Sequence, residues 1–247
     1  MARLHLPNVT LVMLYGLGGK ELFKQALNDT LELIEPYETI ILSADKHAWN
    51  GHPPPSQDWT QDYPVKMVEI PVCKSAKEAM HIFWYTLPQM VKSTHTIHIE
   101  WDGWIINPDM WRDEYLDYDY IGAPWTFLPR EHPYRVGNGL GLRSMDLMRY
   151  VAKNPWKYPL PDAEDDGLCK YYRPHLEHEM GFRWPHEDLA RQFSWERGDY
   201  PGPTFMFHGV FNWWQLLTPE QIEWRKKLAD GYVESKSTWH EFINHQR

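Results

Sequence analysis

The chain has 247 residues with 25 Lys and Arg against 34 Asp and Glu, so its formal net charge is −9, and 43% of its residues are hydrophobic. This composition fits one globular domain, and no stretch approaches the roughly 20 consecutive apolar residues that a membrane-spanning helix needs. The excess of acidic residues disfavours general binding to nucleic acid, because Lys and Arg make most contacts to phosphate.

The first part of the chain alternates between strand and helix patterns. Apolar residues recur with helical spacing after residue 20, and a capping box opens a second helix at Ser75, which Pro88 is expected to kink or end. Alternation of this kind predicts right-handed crossovers and a mainly parallel sheet. The predicted strands are 9–15, 39–43, 65–70 and 94–100, and the predicted helices are 20–34 and 75–87.

The second part of the chain predicts an α+β arrangement, with a confident surface helix at its end. We expect a single domain over 1–217, with a nucleotide-binding half (9–102) and an acceptor-side half (103–217), followed by a helical extension over 218–247. The predicted elements are strands at 118–122 and 140–143 and helices at 144–153 and 219–229.

Candidate ligand-binding residues lie at the ends of predicted strands, where open α/β sheets bind their ligands. Tyr15 ends the first strand, Asp45 follows the second, and Glu100 and Asp102 follow the fourth. The last two carboxylates lie at i and i+2, so they share one side of the chain and are able to hold a hard divalent cation. A solvated turn is the alternative interpretation of the same pattern.

Two later features strengthen the metal hypothesis. A second acidic cluster is found at Glu164-Asp165-Asp166, and an apolar strand over 204–208 delivers His208 at its end. Metal, base and ligand are thus expected to converge. For Asp165 and Asp166 the alternative is a favourable position at the positive end of a helix dipole.

Several segments together resemble a GT-A-type glycosyltransferase-like domain family over roughly positions 9–214. The resemblance implies a GT-A-like, Rossmann-type mixed sheet that is mainly parallel and flanked by helices, with an α+β acceptor-side half. The segments are YDYIGAPW at 118–125, VGNG at 136–139, LRS at 142–144, ED at 164–165, AxxFSxE at 190–196 and the terminal His208.

This resemblance implies transfer of a sugar from a nucleotide-diphosphate donor, with UDP as the nucleotide, to a hydroxyl of a glycan or another acceptor. Mn²⁺ or Mg²⁺ held by Asp102, His208 and Glu100 would neutralise the departing diphosphate. By similarity to the inverting β-1,4-galactosyltransferases, Asp165 is the base and Glu164 holds the acceptor.

For the donor, the resemblance implies that Tyr15 stacks on the nucleobase and that Asp45 accepts its ring N–H. Asn138, Gly139 and Arg143 are further candidates for donor binding. For Arg143 the alternative is an ion pair with a carboxylate in place of a phosphate.

Two other functions stay open at this point. A non-catalytic carbohydrate-binding module would use the Trp-rich second half of a chain that contains 14 Trp. Alternatively, the acceptor is a hydroxymethylated base in phage DNA, bound by a local basic groove, although the net charge weighs against it. The groove would comprise Arg130, His132, Arg135 and Arg143, interleaved with Trp125, Phe127 and Tyr134. A cytoplasmic location is expected because Cys73 and Cys169 are far apart and form no CxxC motif.

Overall fold

The computed structural model describes residues 2–15, 19–44, 65–73, 76–161 and 163–229, which form a mixed six-stranded sheet flanked by helices. Its strands are β1 (Leu4–Tyr15), β2 (Ile34–Ser43), β3 (Val65–Glu69), β4 (His95–Ile99), β5 (Tyr120–Pro124) and β6 (Val136–Ser144). Their order is β3-β2-β1-β4-β6-β5. The first four are parallel, and β6 is antiparallel to both β4 and β5. The mixed, mainly parallel sheet predicted from the sequence is confirmed.

The helices lie on both faces of the sheet. They are α1 (Lys20–Leu33), α2 (Ala76–His81), α3 (Leu87–Met90), α4 (Met145–Lys153), α5 (Glu164–Asp166), α6 (Arg173–His178), α7 (Glu187–Phe193), α8 (Trp213–Leu216) and α9 (Pro219–Ala229). Wider π turns at Ile82–Thr86 and Gly167–Tyr171 follow α2 and α5, and short 3₁₀ turns are at Pro108–Met110, Asp113–Asp117 and Val210–Asn212. A two-stranded parallel sheet joins β7 (Ser194–Trp195) to β8 (Met206–Phe207).

The core is divided by the sheet, because successive side chains of a strand point to opposite faces. Along β1, Leu11 and Met13 pack with α1 on one face. Val12 points to the other face, where Phe83 and Trp84 of the first π turn cover it. Both predicted halves of the chain therefore contribute strands and helices to the same sheet.

Several predicted elements differ from the structure at their ends. β2 begins before residue 39, because 34–36 already pair with 4–6 of β1. The disturbance expected at Pro88 is found as the π turn directly before it, where Leu87 donates its backbone N–H to the Ile82 carbonyl. Ser144 is the N-cap of α4, and its hydroxyl accepts from the Leu147 N–H at 3.1 Å.

The predicted C-terminal extension is described as far as residue 229, and 230–247 lie outside the described residues. Helix α9 buries Ile222 in the same core cluster as α1. Its Arg225 is 4% exposed, forms an ion pair with Asp29 of α1 and lies 4.1 Å from the centre of the Trp104 ring. No helix among the described residues is long and apolar enough to cross a bilayer.

Strand β6 is longer than predicted and β5 is displaced by two residues from its predicted position. Glycines let the backbones of these two strands approach closely. A Cβ added to Gly122 would lie 1.9 Å from the Gly137 carbonyl oxygen, and one added to Gly141 would lie 2.1 Å from that of Ile121. By contrast, a Cβ on Gly139 would meet nothing within 4 Å.

We expect Gly122→Ala to lower the free energy of unfolding by about 1–3 kcal/mol or more, because backbone atoms have to move to admit the methyl group. Gly139→Ala, on the next strand, is the matched control and is expected to change stability by less than about 0.5 kcal/mol. Urea unfolding of both variants measures the difference. If both variants unfolded at the same urea concentration, β5 and β6 would not be packed this closely.

Candidate functional site

The candidate site lies beyond the carboxyl end of β4, next to β1, where the strand order of the sheet reverses. After Ile99 the chain makes a tight turn, in which the Glu100 N–H donates to the Gly103 carbonyl at 2.8 Å. A Cβ on Gly103 would lie 2.7 Å from the Phe207 carbonyl oxygen, so only glycine allows this turn to approach β8. The turn therefore carries its two carboxylates against the end of β8.

Backbone hydrogen bonds join this turn to the segment that carries His208. Phe207 donates its N–H to the Trp104 carbonyl at 3.3 Å, and Gly209 donates to the Asp102 carbonyl at 2.9 Å. His208 lies between these two donors. The pairing places its imidazole beside Asp102 although the two residues are far apart in the sequence.

Glu100, Asp102 and His208 form one group of possible metal ligands. One ligand atom from each lies within 4.8 Å of the others, and His208 Nε2 is 3.7 Å from Asp102 Oδ1. Asp102 is 5% exposed. Two carboxylates and an imidazole are a donor set that suits Mn²⁺ or Mg²⁺.

The charge around His208 also fits a bound cation. Burial alone would lower the pKa of His208, but the surrounding carboxylates of Asp102, Glu196 and Glu100 raise it to about 10. Three negative side chains around one imidazole produce a field that favours positive charge, whether a proton or a metal ion supplies it.

Glu196 is a site residue to which the sequence assigned no role. Its Oε1 lies 3.1 Å from His208 Nδ1, on the side of the ring away from Asp102. Burial alone would raise the pKa of Glu196, but His208, Arg197 and Asn138 lower it. Glu196 and His208 lie side by side because they directly follow the paired strands β7 and β8. These strands have only two residues each, which is too short for the sequence to predict their pairing. The AxxFSxE segment was therefore the only sequence signal for Glu196.

A cavity of about 200 Å³ connects the metal group with the predicted catalytic pair. Glu100 and His208 line one part of it, and Glu164 and Asp165 line another. The remaining lining residues are Met80, Phe83, His98, Gly139, Leu140 and Ala163. The structure thus brings together side chains from β4, β6, α5 and the segment after β8.

Asp165 has the electrostatics of a proton acceptor. Burial, together with the neighbouring Glu164 and Asp166, raises its pKa to about 6. A carboxyl with a pKa near neutrality, facing a cavity, is a common feature of general bases. Asp165 also lies in the first turn of α5, which is the position that the alternative interpretation expects.

Arg143 and Glu164 form a buried ion pair with each other. Arg143 Nε donates to Glu164 Oε1 at 2.5 Å and Nη2 donates to Oε2 at 2.6 Å, while Nη1 and Nη2 also donate to the Gly141 and Gly139 carbonyls. Arg143 is 1% exposed and Glu164 is 3% exposed. The guanidinium therefore pairs with a carboxylate, which is the alternative considered for Arg143, and both oxygens of Glu164 accept hydrogen bonds from it.

The other donor-binding candidates are placed as follows. Tyr15 is 5% exposed and packs edge-on against Phe23, with ring centres 5.4 Å apart. Asn138 is buried with a φ of 87°, and its Oδ1 accepts from the Leu140 N–H at 2.8 Å. Gly139 lines the cavity. Asp45 lies outside the described residues.

The basic groove expected for a DNA acceptor is not formed as predicted. Arg143 is buried against Glu164, and Arg135 pairs with Glu187 at 2.6 Å with its side chain 10% exposed. Arg130 is exposed and His132 is half-buried. Two of the four basic side chains are therefore neutralised inside the protein.

Comparison with known proteins gives a family and a fold. Residues 75–201 match the model of a family described as protein of unknown function (DUF5672). No curated protein sequence matches the chain.

Among solved structures, an active-site mutant of LgtC aligns with a TM-score of 0.52 and 12% identity, over 94% of this chain and 99% of that chain. The galactosyltransferase LgtC in complex with donor and acceptor sugar analogues aligns with a TM-score of 0.50 and 10% identity, over 94% of this chain and 99% of that chain. The apo form of the glycosyltransferase GlyE from Streptococcus pneumoniae TIGR4 aligns with a TM-score of 0.50 and 10% identity, over 89% of this chain and 63% of that chain. At these identities the likeness concerns the fold, and it confirms the predicted GT-A-like fold class.

We expect Arg143→Met to lower the free energy of unfolding by about 3–5 kcal/mol, because it leaves the buried Glu164 carboxylate unpaired. Adding Glu164→Gln removes that charge and is expected to restore part of the loss. Urea unfolding of the two single variants and the double variant measures the coupling between the residues. If Arg143→Met were as stable as the wild type, the guanidinium would not have this structural role.

Proposed function

The chain belongs to the DUF5672 family, and we propose that it is a metal-dependent glycosyltransferase that moves a sugar from a nucleotide-diphosphate donor to a hydroxyl acceptor. The observation that carries the proposal is one cavity lined by Glu100 and His208 of the metal group and by Asp165, whose pKa is near neutrality. The likeness in fold to glycosyltransferases supports it. Uridine diphosphate is the nucleotide that the sequence resemblance implies.

Glu100, Asp102 and His208 are the proposed metal ligands. A bound Mn²⁺ or Mg²⁺ supplies Lewis-acid neutralisation of the charge on the leaving diphosphate. Glu196 Oε1 lies 3.1 Å from His208 Nδ1, so with a metal bound the remaining ring proton would be on Nδ1, facing Glu196, and the Nε2 lone pair would be on the side of Asp102. Such a partner fixes the tautomer and the orientation of a ligating histidine.

Asp165 is the proposed base of the transfer. The acceptor oxygen forms a bond to the anomeric carbon of the sugar, the bond from that carbon to the diphosphate oxygen breaks, and its electron pair leaves with the diphosphate. The hydroxyl proton passes to the Asp165 carboxylate. In-line attack of this kind inverts the configuration of the anomeric carbon. The anomeric configuration of the sugar in the product therefore tests this mechanism.

Glu164 and Arg143 have positioning roles in this proposal. The two side chains form a buried ion pair that joins α5 to β6. Since Asp165 directly follows Glu164, the pair fixes where the Asp165 carboxylate enters the cavity. Its position is then determined by buried contacts and not by a flexible loop.

A non-catalytic carbohydrate-binding module is the weaker alternative. Sugar binding alone does not need a desolvated carboxyl whose pKa is raised to about 6 beside a group of metal ligands. Perturbed carboxyl groups of this kind are concentrated at catalytic sites.

We expect wild-type protein to bind Mn²⁺ and to gain thermal stability when a UDP-hexose is added with it, because a ligand that binds only the folded state stabilises it. Asp102→Asn is expected to weaken Mn²⁺ binding by at least about 10-fold and to abolish the UDP-hexose effect. Titration calorimetry with MnCl₂ and thermal unfolding measure the two results. Asp109→Asn, which removes an exposed carboxylate outside the cavity, is the control and should behave like wild type. Unchanged Mn²⁺ affinity in Asp102→Asn would contradict the metal assignment.

We expect Asp165→Asn to lower the rate of UDP-hexose turnover by about 10²–10⁴-fold while the donor dissociation constant stays within about twofold. For wild type, kcat/KM should rise with pH and reach half its plateau near the Asp165 pKa of about 6, because only the ionised carboxylate accepts a proton. Release of UDP, measured from about pH 5 to pH 8 with glycan acceptors or water, gives both quantities. Asp109→Asn is again the control, since Asp109 is exposed and does not line the cavity. A flat profile, or full turnover by Asp165→Asn, would exclude Asp165 as the base.

A further inference from the structure

A second cavity borders α2 and has no part in the proposed reaction. Its volume is about 570 Å³, compared with about 200 Å³ for the cavity that Asp165 lines, which we call the first cavity. Residues of three segments form the wall of the second cavity: the chain that follows β3, the helix α2 with the start of the π turn after it, and the chain before α5.

The two cavities are neighbours, because adjoining residues line one and the other. Ile82 lines the second cavity and Phe83 the first, and the Cα atoms of consecutive residues are about 3.8 Å apart. In the same way Leu160 lines the second cavity and Ala163 the first, and three residues of extended chain span at most about 11 Å. A molecule with one part in each cavity therefore needs only a short connection between the two parts.

The second cavity has an apolar floor and a charged rim. Ile82 is 6% exposed and Leu160 is half-buried, whereas Lys77 and Glu78 are exposed. No Phe, Tyr or Trp is found among the described residues that line it, so it offers no large aromatic face on which a nucleobase or a sugar ring stacks. The lining favours an aliphatic group with a polar end, because such a group covers the floor and leaves its polar end in water at the rim.

The proposed reaction needs a place for the acceptor that the donor does not fill. The first cavity is smaller than the pockets of about 300–1,000 Å³ that hold drug-sized ligands, so it is suited to the transferred sugar alone. The second cavity is within that range. The acceptor hydroxyl has to reach the Asp165 carboxylate, and the rest of the acceptor has to extend out of the first cavity.

We propose that the second cavity binds the aliphatic group of an alkyl glycoside acceptor, so that a hydroxyl of its sugar reaches Asp165. The inference rests on the proposed function, because it takes Asp165 as the base. It names the acceptor class as glycosides with an aliphatic aglycone.

Cys73 reports directly on the occupancy of the second cavity. It lines the cavity, and its thiol donates to the Pro71 carbonyl at 3.5 Å. The other cysteine, Cys169, is 0% exposed. N-ethylmaleimide is therefore expected to modify Cys73 first, and a ligand in the second cavity should protect it.

The experiment compares octyl and methyl β-glucosides and β-galactosides in the presence of MnCl₂ and UDP, below the concentration at which the octyl compounds form micelles. Intact-mass spectrometry follows the modification of Cys73, and titration calorimetry gives the dissociation constants. At least one octyl glycoside is expected to slow the modification by about 10-fold or more and to bind about 10- to 100-fold more tightly than its methyl counterpart, since each buried CH₂ adds about fourfold. MnCl₂ and UDP alone should leave the rate of modification unchanged.

Val72→Asp places a charge in the wall of the second cavity. Val72 is 47% exposed, so the variant is expected to fold. It should weaken binding of the octyl glycoside by about 10-fold or more, because a charge against an aliphatic chain loses water. Binding of Mn²⁺, of the UDP-hexose and of the methyl glycoside should stay within about twofold of wild type. Met180→Asp is the matched control, since Met180 is 41% exposed and lines neither cavity.

The failures of the two proposals differ. If Mn²⁺ and UDP-hexose bound but octyl and methyl glycosides bound equally, only the acceptor class would be overturned. Protection of Cys73 by MnCl₂ and UDP alone would also overturn it, because the second cavity would then hold the nucleotide. If wild type bound neither Mn²⁺ nor any UDP-hexose, the proposed function would fail and the acceptor assignment with it. Should N-ethylmaleimide not modify Cys73, or Val72→Asp not fold, the dissociation constants of wild type for octyl and methyl glycosides decide.

Discussion

The candidate site depends on the backbone pairing between the turn after β4 and the segment after β8. Hydrogen bonds from Phe207 to Trp104 and from Gly209 to Asp102 hold the two segments together, and Gly103 lets them approach. His208 lies between the two donors, so its imidazole meets the carboxylates of the turn. Buried backbone bonds of this kind fix positions more accurately than side-chain contacts alone.

Charge compensation links this pairing to the rest of the cavity. On one side, the carboxylates around His208 create a field that favours a cation. On the other side, Arg143 donates to both oxygens of Glu164, whereas burial raises the pKa of Asp165 beside it to about 6. Two neighbouring carboxyl groups therefore have different properties because only one of them is bidentately paired.

Local patterns were sufficient to predict most of the fold. Helix α1 and the N-cap at Ser144 have strong signals within a few residues, and the alternation of elements indicates the parallel sheet. The ends of β2, β5 and β6 were not predictable in this way, because they depend on pairing with distant strands and on glycine contacts such as that of Gly122.

In the candidate site, too, local patterns predicted some residues, whereas contacts between distant residues were not predictable. Glu100 and Asp102 could be proposed as neighbours from strand periodicity, and His208 from its place after an apolar strand. The roles of Glu196 and Arg143 could not be predicted, because each depends on which partner the fold places within about 3.1 Å. The burial of Tyr15 against Phe23 likewise results from the packing of α1 on β1 and leaves no mark in the sequence at residue 15.

Anomalous diffraction from crystals grown with MnCl₂ and UDP tests the central claim most directly. We expect one manganese peak at coordinating distance from Asp102 and from His208 Nε2, with the diphosphate on its open side and the 200 Å³ cavity directly beyond it. A manganese peak elsewhere on the protein, or none when UDP is visible in the density, would contradict the account.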